Sequence, residues 1–147
     1  MHLHYLTLKR HVEWISPRIS HLEGRGSFTQ KKNEWVIELA NGDEIQWWLM
    51  LSCDAQYPYM LLLPPGKRSP TSTDVLPEII GEKIEKITIE PQDRIIHLFF
   101  TNSSKRLLFQ FFTHHTNFLL LNADLKIINS FKKAKEMKGV IYQLPAT

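Results

Sequence analysis

Residues 83–131 read KIEKITIEPQDRIIHLFFTNSSKRLLFQFFTHHTNFLLLNADLKIINSF, and this stretch decides the fold. It consists of short apolar runs rich in Ile, Leu and Phe, separated by brief polar segments. Such runs are typical of β-strands, and connections this short make neighbouring strands antiparallel. The stretch therefore predicts five consecutive strands. They are expected at residues 83–90, 95–101, 106–112, 118–122 and 126–131.

The preceding residues add a helix and a second group of strands. Apolar residues recur at helical spacing from Tyr5 to Ile19, which predicts an amphipathic helix over residues 5–15 that Pro17 ends or bends. The period then changes to two, and Asn41-Gly42 is a strong hairpin signal. Strands are expected at residues 25–30, 34–39, 44–52 and 59–63. A further helix is predicted from Thr73 or Asp74 to Ile80, with Gly81 as its C-terminal cap.

These elements predict the α+β class, with an N-terminal amphipathic helix on a two-layered antiparallel β structure. Both faces of residues 44–52 carry bulky side chains, so we expect both to be covered, as in a sandwich or barrel. The 147 residues are enough for one domain with its own core, and we expect a single domain over residues 1–147.

Composition narrows the class of protein. Hydrophobic residues make up 43% and charged residues 22%, which are ordinary globular values and argue against disorder. No apolar run approaches the length that spans a bilayer, and the first residues lack the apolar segment of a secretory signal. The single cysteine, Cys53, allows no internal disulfide and fits a reducing compartment. A cytoplasmic location without a membrane partner is predicted.

Charge is distributed unevenly along the chain. Residues 74–93 hold six acidic residues against two lysines, whereas residues 94–147 hold eight basic residues against two acidic ones. A basic C-terminal third suggests a partner with a phosphate backbone. The alternative is an ordinary solvated, lysine-rich surface.

Two polar groups interrupt the apolar strands. Asp93 and Arg94 lie in the turn before residue 95, and His115-Thr116-Asn117 lies between two apolar runs. Both positions suit recognition, although a solvated turn pair and a polar bulge are the structural alternatives. The candidate nucleic-acid-binding residues are Asp93, Arg94, His115, Thr116, Asn117, Lys132, Lys133 and Lys135.

The sequence contains no motif that indicates a catalytic site or a metal site. His2, His4, His114 and His115 lack a metal-binding motif, and adjacent strand residues point to opposite faces. Gly24-Arg25-Gly26 lacks the third glycine and the lysine of a phosphate-binding loop. Cys53 has no histidine nearby in sequence and is expected to be buried or half-buried and inert. We therefore predict no catalytic residue, metal ligand, cofactor or small-molecule substrate.

The order of motifs resembles a known family. The Asp-Arg turn, the strand ending before His-Thr-Asn, Lys126-Ile127-Ile128 with basic residues after it, and the final Tyr-Gln-Leu-Pro resemble the NFACT-N domain. This is the N-terminal domain of fibronectin-binding protein A-like proteins, which are associated with ribosome-associated quality control. The stretches Leu6–Leu8 and Leu51–Tyr59 are similar as well, so the resemblance covers nearly the whole chain. The chain departs from it at residues 110–114 and in the acidic segment 75–80.

The resemblance implies both fold and function. It implies a fold akin to the N-terminal lobe of formamidopyrimidine-type DNA glycosylases, and a non-catalytic RNA-binding module whose partners are tRNA and the large ribosomal subunit. Asp93 and Arg94 would take part in tRNA recognition. One alternative is a glycosylase-like enzyme lobe, although position 2 is His2 where that chemistry uses a proline. The other is a fibronectin-binding adhesin, which the missing signal segment disfavours.

Overall fold

The structure, a computed structural model, describes residues 4–112 and 114–144. Its elements are a long helix, two sheets and a short second helix. In chain order they are α1 (Tyr5–Ile19), β1 (Glu23–Lys31), β2 (Glu34–Asn41), β3 (Glu44–Ser52), β4 (Tyr59–Leu63), β5 (Thr73–Asp74), a 3-10 turn (Pro77–Ile79), β6 (Ile84–Ile89), β7 (Ile95–Phe100), β8 (Arg106–Gln110), β9 (Asn117–Leu121), β10 (Ile127–Ser130) and α2 (Ala134–Met137). The predicted α+β class and its two antiparallel layers are confirmed.

Each sheet has five strands, and nearly all spatial neighbours are also neighbours in sequence. The first sheet has the order β4-β3-β2-β1-β5, and the second has the order β10-β9-β8-β7-β6. The order of the second sheet follows from its short connections, which leave no length for a crossover. The predicted strands 44–52 and 59–63 have the predicted bounds, and the others differ by a few residues at their ends.

Helix α1 confirms the predicted periodicity but is longer than predicted. Leu8, Val12, Ile15 and Ile19 are its buried residues, all on one face. The helix continues through Pro17 to Ile19 instead of ending at residue 15. A proline so close to the end removes only one backbone donor. Complete burial of Ile19 in the last turn offsets that loss.

The predicted helix over residues 73–80 is wrong. Thr73 and Asp74 form strand β5, which pairs with Thr29 and Phe28 at the edge of the first sheet. The N–H of Val75 continues this pairing by donating to the Ser27 carbonyl at 3.1 Å. Satisfying the edge groups of β1 therefore outweighs the local helical preference, and only the 3-10 turn Pro77–Ile79 remains.

Aromatic packing between the sheets fixes one end of the second sheet. Trp35 of β2 is fully buried and stacks on Phe131 with an interplanar angle of 20° and a centroid distance of 6.2 Å. The same indole contacts the rings of Phe109 and Phe118 at 6.2 and 6.0 Å. Because Phe131 directly precedes Lys132, the core determines where the basic segment after β10 begins.

The C-terminal segment covers part of the outer face of the second sheet. Its backbone pairs with the start of β10, since the Gly139 N–H donates to the Ile127 carbonyl and the Ile127 N–H donates to the Val140 carbonyl, both at 2.8 Å. Met137, Tyr142 and Leu144 pack there on an apolar cluster. The cluster consists of Ile95, Leu108, Leu119, Leu121 and Ile127. Helix α2, which begins this segment, was not predicted.

Candidate nucleic-acid interface

Strand topology gathers the candidate residues at one end of the second sheet. Ile95 at the start of β7 pairs with Gln110 at the end of β8, and Gln110 pairs with Asn117 at the start of β9. Strand β10 ends at the same side, because it is antiparallel to β9. The turn 91–94, the residues before β9 and the residues after β10 are therefore neighbours in space although they are far apart in sequence.

The residues after β8 and after β10 enclose a surface cleft of about 260 Å³, which we call the 114–133 cleft. Its lining comprises Gln110, His114, His115, Thr116, Asn117, Lys132, Lys133 and Met137. The structure thus brings together five candidates, namely His115, Thr116, Asn117, Lys132 and Lys133. Asp93, Arg94 and Lys135 do not line this cleft. Lys135 is exposed on α2.

The two buried polar lining residues use their polar atoms within the protein. Asn117 is buried, and its Nδ2 donates to the Lys132 carbonyl at 3.0 Å while its Oδ1 accepts the Lys132 N–H at 2.9 Å. Thr116 is also buried, and its hydroxyl donates to the Phe112 carbonyl at 2.7 Å. Buried polar groups need such partners. Asn117 and Thr116 therefore hold the backbone around the cleft, and its cationic side chains are those of Lys132 and Lys133.

The exposed cleft residues are His114, His115, Lys132 and Lys133. Lys133 has left-handed backbone torsions, with φ of 56°, which turn the chain from β10 into α2. The hydroxyl of Ser130 donates to the Lys132 carbonyl at 2.7 Å and stiffens this connection. The cleft therefore presents basic side chains on a backbone held by several hydrogen bonds.

Lys132 also acts on the loop between β3 and β4. The pKa of Asp54 is lowered mainly by the N–H groups of Gln56 and Tyr57, and Lys132 contributes less. Burial raises the pKa of the Cys53 thiol to about 11, and the positive charge of Lys132 opposes that rise. The loop after β3 therefore places the Asp54 carboxylate within electrostatic range of Lys132.

The Asp93–Arg94 turn is firmly attached to the sheet. The Phe111 N–H donates to the Arg94 carbonyl at 2.9 Å, and the Asp93 N–H donates to the Glu90 carbonyl at 3.2 Å. Gln92 adopts a positive φ of 63°, which closes the turn. Asp93 and Arg94 are both half-buried, so the turn is an ordered part of the surface.

Tyr142 and Gln110 connect this turn to the cleft. The Tyr142 hydroxyl donates to Gln110 Oε1 at 3.1 Å, and Gln110 Nε2 donates to the His115 carbonyl at 2.7 Å. Burial raises the pKa of Tyr142 to about 12, and the negative charges of Asp93 and Glu90 add to the rise. The carboxylate of Asp93 is thus close to the tyrosine that orients a cleft residue.

Sequence reasoning missed the structural roles of Gln110 and Tyr142. A signal for Gln110 was available, because it is the one polar residue in the apolar run 107–112. Tyr142 was marked only as part of the final Tyr-Gln-Leu-Pro motif, which gave no sign of its contact with Gln110 32 residues earlier. Met137 was missed together with helix α2.

The described part of the chain contains neither a cluster of metal-binding side chains nor a helix that could span a membrane. Within residues 4–112 and 114–144, His, Cys, Asp and Glu form no group of three or more that could hold a metal ion. Of the histidines considered for metal binding, His2 lies outside the described residues. In the same part of the chain, no helix has the length and apolar character needed to cross a bilayer.

Comparison with known proteins identifies one matching family and several solved structures of similar fold. The family described as NFACT N-terminal and middle domains matches residues 28–145. No curated protein matches the chain. The crystal structure of the fibrinogen binding protein from Staphylococcus aureus is similar at a TM-score of 0.77 and 19% identity, over 98% of this chain and 56% of that one.

Two streptococcal structures are similar as well. The N-terminal domain of fibronectin-binding protein PavA from Streptococcus pneumoniae has a TM-score of 0.79 and 18% identity, over 97% of this chain and 64% of that one. The N-terminal part of the fibronectin/fibrinogen-binding protein from Streptococcus suis has a TM-score of 0.72 and 17% identity, over 88% of this chain and 56% of that one. Identities this low show a shared fold. The chain spans less than two thirds of each of these solved chains.

Proposed function

The chain belongs to the family of NFACT N-terminal and middle domains, and from that membership we propose that it is a non-catalytic RNA-binding module. Its partners in this proposal are tRNA and the large ribosomal subunit, and it acts in the cytoplasm. The RNA site is the end of the second sheet that carries the 114–133 cleft and the Asp93–Arg94 turn.

One observation carries the proposal. Three segments distant in sequence meet at one end of one sheet, and together they present an arginine, two histidines and two lysines. Neutralising phosphates releases counterions, which gives basic surfaces of this kind most of their affinity for nucleic acid. The alternative of a merely solvated basic surface does not require the buried hydrogen bonds by which Asn117 holds Lys132.

The candidate residues divide into two roles. Arg94 donates to a phosphate or a base edge, and Asp93 orients it or accepts from a base amine. Lys132 and Lys133 supply electrostatic affinity in the cleft, and Lys135 adds charge on the adjoining helix. His115 contacts the ligand, while Thr116 and Asn117 keep the cleft in shape.

The direct test is tRNA binding as a function of salt. With roughly three to five phosphate contacts, the logarithm of the association constant should fall with the logarithm of salt concentration at a slope of about −2 to −4. The titration uses filter binding with purified tRNA between low and physiological salt. Absent or salt-independent binding would contradict the proposal.

The same protein preparation tests the two alternatives. The structural relatives are described as fibronectin- or fibrinogen-binding proteins, so immobilised fibronectin and fibrinogen are included as ligands. Binding to either of them without tRNA binding would favour an adhesin. DNA containing abasic sites or oxidised purines is included with borohydride, and a trapped covalent adduct would favour a glycosylase-like lobe.

A further inference from the structure

The outer face of the second sheet carries another basic group beside the C-terminal segment. Phe99 of β7 is paired directly with Lys86 of β6 on one side and with Arg106 of β8 on the other. Side chains opposite each other on one face of a sheet are in contact range. The three residues form one row across three strands, which we call the Phe99 row.

Both cations of the Phe99 row make cation–π contacts with the ring of Phe99. Lys86 Nζ lies 5.1 Å and Arg106 Cζ lies 5.5 Å from the ring centroid of Phe99, within cation–π range. Within residues 4–112 and 114–144, neither cation takes part in a salt bridge. The neighbouring Lys105, by contrast, is paired with Glu82 at 3.8 Å. The row therefore offers two positive charges that no carboxylate neutralises by direct contact.

A buried histidine fixes Arg106. An Arg106 Nη1 proton is donated to His97 Nδ1 at 3.4 Å, and because arginine only donates, Nδ1 is the accepting nitrogen. His97 Nε2 then carries the proton and donates to Glu90 Oε1 at 2.8 Å. The imidazole also stacks on Phe99 at 5.8 Å. Glu90 is thereby hydrogen-bonded to His97. The positive charge of Arg106 therefore remains available to an external anionic group.

The Phe99 row continues the proposed RNA site along the sheet. Phe99 lies four residues beyond Ile95, whose partner Gln110 lines the 114–133 cleft. At about 3.4 Å per residue, the row is roughly 14 Å from that end of the sheet. His97 and Glu90 lie between the row and the Asp93–Arg94 turn, so the surface between the two places is ordered.

We propose that the Phe99 row is a second RNA contact, in which Lys86 and Arg106 bind phosphates of the same RNA that occupies the end of the sheet. This inference rests on the proposed function. Phe99 is a positioning residue that holds the two cations over its ring. The partner is the sugar–phosphate backbone, because two cations without a carboxylate partner match its repeated negative charges, and phosphates and sugars take most of the hydrogen bonds that proteins make to nucleic acid.

The test compares the double variant Lys86→Ala/Arg106→Ala with a control of equal charge loss, Lys9→Ala/Arg10→Ala on the exposed side of α1. In tRNA titrations over a range of salt, the row variant should bind about tenfold more weakly. Its salt slope should be shallower by about 1.5, since each phosphate contact contributes about 0.7–0.9. The charge-preserving variant Lys86→Arg/Arg106→Lys should retain the wild-type slope. Phe99→Leu, which keeps the charges but removes the ring, should bind about threefold more weakly.

The outcomes separate the two proposals. A row variant that melts like the wild type and matches the control in affinity and slope would overturn the second contact. If Arg94→Ala still weakens binding in that experiment, the proposed function stands without it. If the wild type binds no tRNA at all, the proposed function fails, and the second contact fails with it.

Discussion

The side-chain amide of Asn117 pairs with both backbone polar groups of Lys132, donating to its carbonyl at 3.0 Å and accepting its N–H at 2.9 Å. Asn117→Ala removes the acceptor of the Lys132 N–H and leaves the Lys132 carbonyl with the Ser130 hydroxyl alone, so it should lower the free energy of unfolding by about 1–3 kcal/mol. Urea denaturation measures this loss. The exposed Gln46→Ala on β3 serves as the control and should change stability by less than about 0.5 kcal/mol. Equal stabilities of the two variants would show that the amide does not hold the cleft.

Substitutions in the Asp93–Arg94 turn should affect tRNA binding and leave the stability of the fold nearly unchanged. Its backbone hydrogen bonds survive truncation of the side chains, so Asp93→Ala/Arg94→Ala should change stability by no more than about 1 kcal/mol. The same variant should weaken tRNA binding by about 1–3 kcal/mol through the lost charge-assisted contact. Thermal melts and tRNA titrations on the same samples measure both quantities.

Lys132→Ala is the comparison for this pair. It should cost less affinity and mainly reduce the salt slope by about 1. A normally folded double variant with wild-type affinity would rule out Asp93 and Arg94 as the recognition site. A large drop in melting temperature would instead indicate a structural turn.

Local patterns were sufficient for most of the fold. The apolar runs around Asp93-Arg94 and Asn41-Gly42 predicted nearly every strand, because strand period and turn chemistry are local properties. They failed at residues 73–80, where the unpaired edge of β1 decides the structure. An unpaired strand edge exists only in the assembled sheet. The sequence of residues 73–74, which pair with this edge, therefore contains no pattern that predicts the pairing.

The candidate site was only partly predictable, for a similar reason. Polar residues inside apolar runs marked His115, Thr116 and Asn117, but their grouping with Lys132 follows from the strand order. The roles of Asn117 and Tyr142 depend on contacts across the sheet and over its outer face. Neither residue has a sequence pattern that distinguishes a ligand contact from an internal one.

The raised pKa of Tyr142 predicts that the free energy of unfolding falls in alkali. Its pKa is raised from 10.0 to about 12 in the folded protein, so its contribution is complete below pH 10 and is lost as the pH rises toward 12. The unfolded chain releases the phenolic proton first, which favours unfolding in that window. Tyr142→Phe removes the titration and should show a shallower decline of the free energy of unfolding between pH 10 and 12. Identical slopes in wild type and variant would contradict the raised pKa.

The lowered pKa of His97 predicts that the free energy of unfolding falls in mild acid. Burial lowers its pKa below the ordinary 6.5, although Glu90 opposes the shift. A depressed pKa gives a contribution that is complete above pH 6.5 and is lost as the pH falls toward the folded-state pKa, because the unfolded chain takes up the proton first. His97→Gln should make stability less dependent on pH between 6.5 and about 5, a window above most carboxylate titrations. An NMR titration of the His97 ring should place its midpoint below 6.5, and a midpoint above that value would contradict the neutral, Arg106-bonded tautomer.

Cys53 should be unreactive in the native protein. Its side chain is buried, its thiol lies 3.4 Å from the Asn33 carbonyl, and burial raises its pKa to about 11. Only the thiolate is nucleophilic, so at pH 8 both its scarcity and the lack of access slow the reaction with a disulfide reagent such as DTNB. Modification should be at least about 100-fold slower in buffer than in urea, where the pKa returns to about 8.5. Lys132→Ala, which removes the charge that opposes the rise, should slow the native reaction further if its fold is unchanged. Rapid native labelling at pH 8 would contradict the burial of Cys53, and faster labelling of a normally folded Lys132→Ala variant would contradict the electrostatic link between this thiol and the cleft.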